Sequence, residues 1–136
     1  MNHDTKIAIA VRANLATWQK LNVTAFLASG VAAQAPGSIG EPYRDADGVG
    51  YLAIFGQPVV VLAGDGAALT KAHRRALERG LALAVYTEGM FRTGNDVDNR
   101  AVVAALPTAE LDLAGLAVHG DRRDVDKALK DLKLHP

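Results

Sequence analysis

Residues 67–89 read AALTKAHRRALERGLALAVYTEG, and this stretch decides the fold. Leu69, Ala72, Ala76 and Leu77 recur at helical spacing behind Asp65, a residue type that caps helices by accepting from free backbone N–H groups. Gly80 stands where helices commonly end in the left-handed region. Leu81 to Tyr86 (LALAVY) then gives a short apolar run of strand length. A helix over 65–79 that turns directly into a buried strand over 81–86 is the building unit of a layered α/β domain.

Working outward, Lys6 to Ala13 (KIAIAVRA) is a second buried strand. The segment 17–33 (TWQKLNVTAFLASGVAA) predicts a helix with Trp18, Leu21, Ala25, Ala28 and Ala32 on one stripe and Phe26, Leu27 and Val31 widening it. A helix apolar on most sides is expected to be buried on most sides. Thr17 is its candidate cap, and Pro36-Gly37 ends it. Residues 36–50 (PGSIGEPYRDADGVG) carry turn chemistry, Asp47-Gly48 included, and make a candidate lid. Tyr51 to Phe55 and Val59 to Ala63 predict a hairpin around Gly56-Gln57-Pro58. Residues 87–92 read as a loop or helical turn, and 95–106 as a helix capped by Asn95 or Asp96. A strand over 111–118 and a helix over 121–132, capped by Asp121 with Val125, Leu129 and Leu132 inward, complete the order β-α-β-β-α-β-α-β-α. This alternation predicts one domain over residues 1–136, with a mixed, mostly parallel sheet between helices on both faces.

Composition excludes several classes. The 136 residues contain 15 Lys+Arg and 15 Asp+Glu, so the chain is formally neutral and lacks the basic footprint of a nucleic-acid binder. No cysteine is present, which removes disulfides, thiolate metal sites and cysteine nucleophiles. No apolar run reaches the ~18 residues of a membrane span, and the first residues lack a signal-peptide pattern. A soluble, cytoplasmic protein is the expectation. No P-loop or dinucleotide glycine pattern is present. Asp45-Ala46-Asp47-Gly48 opens like a calcium loop, but Gly56 stands where the bidentate Glu belongs. The four histidines show no zinc spacing, and neither serine sits in a nucleophile elbow. Neither a metal nor a cofactor is expected.

Polar residues at awkward positions supply the candidates. Asn22 interrupts the apolar first helix: it either bonds to neighbouring backbone or faces a cleft with both a donor and an acceptor. Thr24 is expected to bond back within the helix. Lys20 is either a solvated side chain or a cation aimed at an anion. The strand LALAVY is followed by Thr87, Glu88, Arg92 and Thr93, and ligands of open α/β sheets sit beyond the carboxyl ends of strands.

Lys6 to Leu15 (KIAIAVRANL) resembles the opening strand and turn of class II peptidyl-tRNA hydrolases. Residues 67–89 resemble their helix-Gly-Leu-strand-turn unit, and 113–134 (LAGLAVHGDRRDVDKALKDLKL) their last strand and helix. Leu21-Asn22-Val23 and the ending Leu132-Lys133-Leu134-His135-Pro136 resemble more closely an uncharacterised bacterial family of the same superfamily. The resemblance implies a three-layer fold around a four-stranded sheet, and a homodimer. It also locates departures. Where the hydrolases carry Gly-Lys-Gly-Lys this chain has Trp18-Gln19-Lys20-Leu21, so Lys20 alone stands for a catalytic lysine. Thr87 replaces their Asp, Thr93 matches their next Thr after a gap, and Pro107-Thr108 replaces Gly-Thr, which adds Thr108 to the set.

Three readings follow. In the first, a cleft near the first helix, lined by Lys20, Asn22, Thr87, Glu88, Arg92 and Thr93, binds or acts on a small ligand. In the second, the chain hydrolyses the ester of peptidyl-tRNA, with Glu88 as base and Lys20 as oxyanion donor and with tRNA as partner. In the third, it is a non-enzymatic homo-oligomeric interaction module.

Overall fold

The computed structural model describes residues 4–136. The strand read at the N-terminus forms as β1 (Thr5–Arg12) and becomes the centre of the sheet. It leads into α1 (Thr17–Gln34) and then a two-stranded ribbon of β2 (Tyr43–Arg44) and β3 (Gly50–Tyr51). Next come β4 (Val59–Gly64), α2 (Gly66–Glu78) and β5 (Ala82–Thr87). The chain ends with α3 (Asp96–Ala104), β6 (Leu113–Asp121), α4 (Arg122–Ala128) and β7 (Lys133–Leu134).

The main sheet has five strands in the order β5-β6-β1-β4-β7. The expected four-stranded count and mostly parallel sense are both corrected. Only β1 and β4 pair in parallel; β6 runs antiparallel to both β1 and β5, and β7 antiparallel to β4. The α1 crossover carries the chain from β1 to β4, as a parallel pair requires. Helix α3 is no such crossover: β5 and β6 are antiparallel neighbours joined by residues 88–112. Helix-strand alternation therefore overstated the parallel content. The last helix also stops at Ala128, where 121–132 was expected, and Lys133-Leu134 pairs with Ala63 and Leu62.

Three layers result, as expected. On β1, Ile7, Ile9 and Val11 face α1 and pack with Val23, Leu27 and Val31, while Ala8 and Ala10 face Leu69, Ala72 and Ala76 of α2 and Val125 of α4. The period-2 alternation of a strand places its large residues under one helix and its small ones under two. Asp65 caps α2 by accepting from the Ala68 N–H at 2.8 Å, Gly80 takes φ +68 at its end, and Asn95 and Asp121 cap α3 and α4. Helix α1 departs from expectation. Its buried stripe is Val23, Leu27 and Val31, while Trp18, Leu21 and Phe26 are more than half exposed. Its cap is Ala16, whose N–H donates to the Gln19 side chain.

Ion pairs fasten the last helix in place. Arg75 pairs with Asp131 at 2.7 Å, Arg79 with Asp124 at 3.0 Å, and Lys6 with Asp126 at 2.6 Å, fastening α4 and its C-terminal turn to α2 and β1. His73 of α2 is buried, and burial pushes its imidazole below the ordinary value of 6.5. The unfolded chain therefore takes up a proton near pH 6.5 that the folded chain refuses. This contribution to stability is complete above that pH and is lost as pH falls below it. Chemical denaturation of wild type and His73→Leu between about pH 7 and about pH 5 should show a smaller acid loss in the variant. Equal losses would place the acid sensitivity elsewhere.

Candidate functional site

Three positions one turn apart on α1, Trp18, Asn22 and Phe26, lie along a single face toward the end of β5. The end of β5 supplies Tyr86, a short 3-10 turn over 88–92 supplies Met90 and Phe91, and α3 stands opposite. Together they enclose a cleft. One half, about 360 Å³, is lined by Trp18, Asn22, Phe91, Thr93 and Asn95 among others. The other half, about 510 Å³, runs between Phe26, Leu27 and Ala84 on one side and Arg100, Val103 and Ala104 on the other. Phe26, Tyr86, Met90, Asp96 and Asn99 line both halves, so the two adjoin.

Four aromatic rings form a chain along this cleft. Trp18 meets Phe91 edge-on at 6.2 Å, Phe91 meets Tyr86 at 5.1 Å, and Tyr86 meets Phe26 at 5.7 Å, the last two pairs tilted. Such pairs are favourable in this geometry. The polar groups sit around them. Asn22 is exposed and engages no other side chain or backbone group. The Thr93 hydroxyl lies 2.9 Å from the Met90 carbonyl oxygen and also against the Asn99 side-chain amide. Tyr86 is 6% exposed, and burial raises its phenol above 10.0, so it stays a neutral donor at physiological pH. The charged pair in the lining, Arg100 and Asp96, neutralises itself. The cleft is apolar, aromatic and without net charge.

A second constellation lies at the carboxyl end of β1. Arg12, with its side chain 15% exposed, donates from Nη2 to Glu88 Oε2 at 2.6 Å, from Nη1 to Asp112 Oδ1 at 3.3 Å and from Nε to Asn14 Oδ1 at 2.7 Å. Backbone adds to it, since the Glu88 N–H donates to the Asp112 carbonyl at 2.8 Å. One guanidinium ties the end of the central strand to the turn after β5 and the approach to β6.

The expected site residues are divided between these places. Asn22 and Thr93 come together in the cleft. Lys20 is half-buried, and two residues along α1 from Asn22 means about 200° around the helix, away from the cleft face. Glu88 is held by Arg12, and Thr87 is buried at the end of β5. Thr87 Oγ1 is the buried side-chain polar atom left without a partner among the described residues. Arg92 and Thr108 are exposed and line neither half of the cleft. No residue of the candidate lid 36–50 lines it either. Thr24 bonds back to the Lys20 carbonyl at 2.7 Å, as expected. Sequence reasoning missed Trp18, Phe26 and Asn99, having placed the first two among inward residues. Their signal was present: an Asn flanked at i−4 and i+4 by aromatic residues is a poor core stripe and a good cleft wall.

Among the described residues no group of three or more His, Asp or Glu is arranged to hold a metal ion, and no helix is long and apolar enough to cross a membrane. No curated protein matches the sequence. A solved structure titled as a protein of unknown function, Atu0240 from Agrobacterium tumefaciens strain C58, is 49% identical, with a TM-score of 0.97 over 99% of this chain and 100% of that one. A family model described as "Protein of unknown function (DUF2000)" matches residues 5–136, nearly the whole length, and the chain belongs to the DUF2000 family.

Proposed function

We propose that this chain is a small-molecule-binding domain whose site is the cleft between α1 and α3, and whose ligand is a flat, uncharged aromatic compound with an amide-like edge. The observation that carries this reading is the conjunction of the four-ring chain with the exposed, unengaged amide of Asn22. Apolar pockets with a few convergent polar groups are the usual form of small-ligand sites. A cleft whose charges are paired internally has no counter-ion to offer a charged guest, and desolvating an ion there would go unrepaid. An amide side chain presents a donor and an acceptor side by side, which a carboxamide or a heteroaromatic ring edge matches. We place the chain in the class II peptidyl-tRNA hydrolase-like superfamily on its sequence resemblance, as a member that uses a different site.

Three matched probes test this. Benzamide has the ring and the amide; benzoate has the ring with a charge; cyclohexanecarboxamide has the amide without the flat ring. Benzamide should bind with a dissociation constant of about millimolar order, given the free energy available per atom in small ligands. The other two should bind several-fold more weakly. Asn22→Ala should weaken benzamide about threefold to tenfold, the net worth of one hydrogen bond. Equal binding of all three probes, or indifference to Asn22→Ala, would remove the reading. Release of tRNA from peptidyl-tRNA by wild type, lost in both Lys20→Ala and Glu88→Ala, would establish ester hydrolysis in its place.

A further inference from the structure

A second cavity lies on the other side of the sheet, at the end of α4. The face of β1 that looks toward α2 and α4 carries small side chains, Ala8 among them, and α4 stops at Ala128. The chain then turns back so that Lys133 and Leu134 pair with Ala63 and Leu62. A space of about 200 Å³ remains between α4, this turn and strands β1 and β4. Ala8, Leu62, Val125, Leu129 and Leu132 line its apolar part, and all of them except Leu62 are buried. One wall is fixed in place: Leu132 fits so closely over Gly64 that a Cβ on that glycine would stand 2.5 Å from Leu132 Cδ2. The polar lining is Lys6, Asp126 and Lys130. Lys6 Nζ donates to Asp126 Oδ1 at 2.6 Å, which engages one of its three N–H groups and neutralises the carboxylate. Lys130 is exposed and makes no hydrogen bond or ion pair with any described residue. The neighbouring carboxylate, Asp131, is held by Arg75 at 2.7 Å. The lining therefore carries one uncompensated positive charge.

We propose that this cavity is a second binding site, separate from the cleft, for a short aliphatic monocarboxylate. The apolar part takes the tail and the rim takes one negative head group. At about 30 Å³ per water-sized group the space holds roughly seven such groups, which is a chain of about five or six carbons. The buried Ala, Val and Leu side chains offer that tail close contact but no hydrogen bond, so a polar tail would lose its water without compensation. Lys130 supplies the counter-charge, and its methylene stem extends the apolar wall toward solvent. Lys6 keeps two N–H groups for the head group beyond the one given to Asp126. A dianion fits less well, because it would meet a single surplus positive charge and the Asp126 carboxylate beside it. The site is the chemical opposite of the aromatic, uncharged cleft under α1, so the two take different guests.

The test is a set of amide chemical-shift titrations of the ¹⁵N-labelled chain with hexanoate, butanoate and hexanamide. Hexanoate should give saturable shifts on Lys6 to Ala8, Leu62 and Val125 to Leu132, with a dissociation constant of about millimolar order. Each buried methylene is worth about fourfold, so butanoate should bind about fifteenfold more weakly. Hexanamide has the same tail without the charge and should bind about twofold to fivefold more weakly than hexanoate, the worth of an exposed ion pair. Lys130→Met changes an exposed side chain and keeps the fold. It should bring hexanoate down to the level of hexanamide and leave the binding of hexanamide and benzamide as in wild type. Hexanoate and butanoate binding alike, hexanoate shifts centred on the cleft, no shifts in the tens of millimolar, or a hexanoate affinity unmoved by Lys130→Met would each overturn the proposal. Benzamide shifts in the cleft are independent of all four results, so the cleft reading stands or falls separately.

Discussion

Gly115→Val should lower the unfolding free energy by about 3 kcal/mol, the upper part of the range for overpacked cores. Gly115 lies on β6 where α1 crosses the sheet. A Cβ there would stand 2.7 Å from Val23 Cγ1, 2.8 Å from the Ala10 carbonyl oxygen and 3.0 Å from Leu27 Cδ1. Two of these neighbours are fully or almost fully buried side chains, and the third is backbone of the central strand, so none can swing aside. The strand is also irregular here: Tyr86 pairs with Gly115 but Thr87 with Leu113, which leaves Ala114 as a bulged residue. Relief would have to come from lifting α1, which would open the core of Ile7, Ile9 and Val11 beneath it. At about 4 °C per kcal/mol for a chain of this length, the thermal midpoint should fall by roughly 12 °C. Gly50→Ala is the control, because nothing lies within 4 Å of a Cβ at that position. A valine variant within 1 °C of wild type would mean that α1 sits further from the sheet than described.

Arg12→Met should cost about 2 kcal/mol, between the small worth of exposed ion pairs and the 3–5 kcal/mol of fully buried ones. The guanidinium is largely shielded and Glu88 is partly so, with side chains 15% and 29% exposed. Removing Arg12 leaves the Glu88 carboxylate without its partner in a half-buried place. Glu88→Gln in the same background should recover part of the loss, giving a double-mutant coupling of about 1–2 kcal/mol. Asp112→Asn should do little, because its side chain is 67% exposed and the contact is 3.3 Å long. Urea denaturation of Arg12→Met, Glu88→Gln, their double variant and Asp112→Asn measures these differences. A coupling of zero between Arg12 and Glu88 would mean that the contact is made in solution only fleetingly.

Much of the fold was legible because it rests on local signals. β1 is a run of Ile, Ala and Val with no polar residue between Lys6 and Arg12, and such a run has to be central. Asp65, Gly80, Asn95 and Asp121 mark helix ends through their own side-chain and backbone chemistry. The misreadings come from interactions that no local window contains. Leu52 and Ile54 alternate as a half-buried strand would, but their strand pairs backwards with residues 40–43 and stands clear of the sheet. Pro58, lacking an N–H, separates it from β4 rather than turning it into a hairpin. β7 escaped notice because two residues that pair at a distance look like the tail of the helix before them.

The candidate site was half legible for a related reason. Asn22 was found because a polar residue in an apolar setting asks for a partner, and Thr93 because it follows the carboxyl end of a strand. Trp18 and Phe26 were assigned inward because hydrophobicity alone does not say which side of a helix meets the sheet. The buried stripe instead begins at Val23, where α1 passes over Gly115, and this rotates the aromatic residues outward. Lys20 and Glu88 were joined by the family resemblance, whereas Glu88 is engaged by Arg12, a residue whose role depends on sheet order.

The most direct measurement is an amide chemical-shift map of the ¹⁵N-labelled chain titrated with benzamide. If the cleft is the binding site, saturable shifts will fall on Trp18 to Phe26, Tyr86 to Thr93 and Asn95 to Val103, and will leave the α2–α4 face unmoved. Shifts centred on that opposite face, or none at millimolar benzamide, would contradict it.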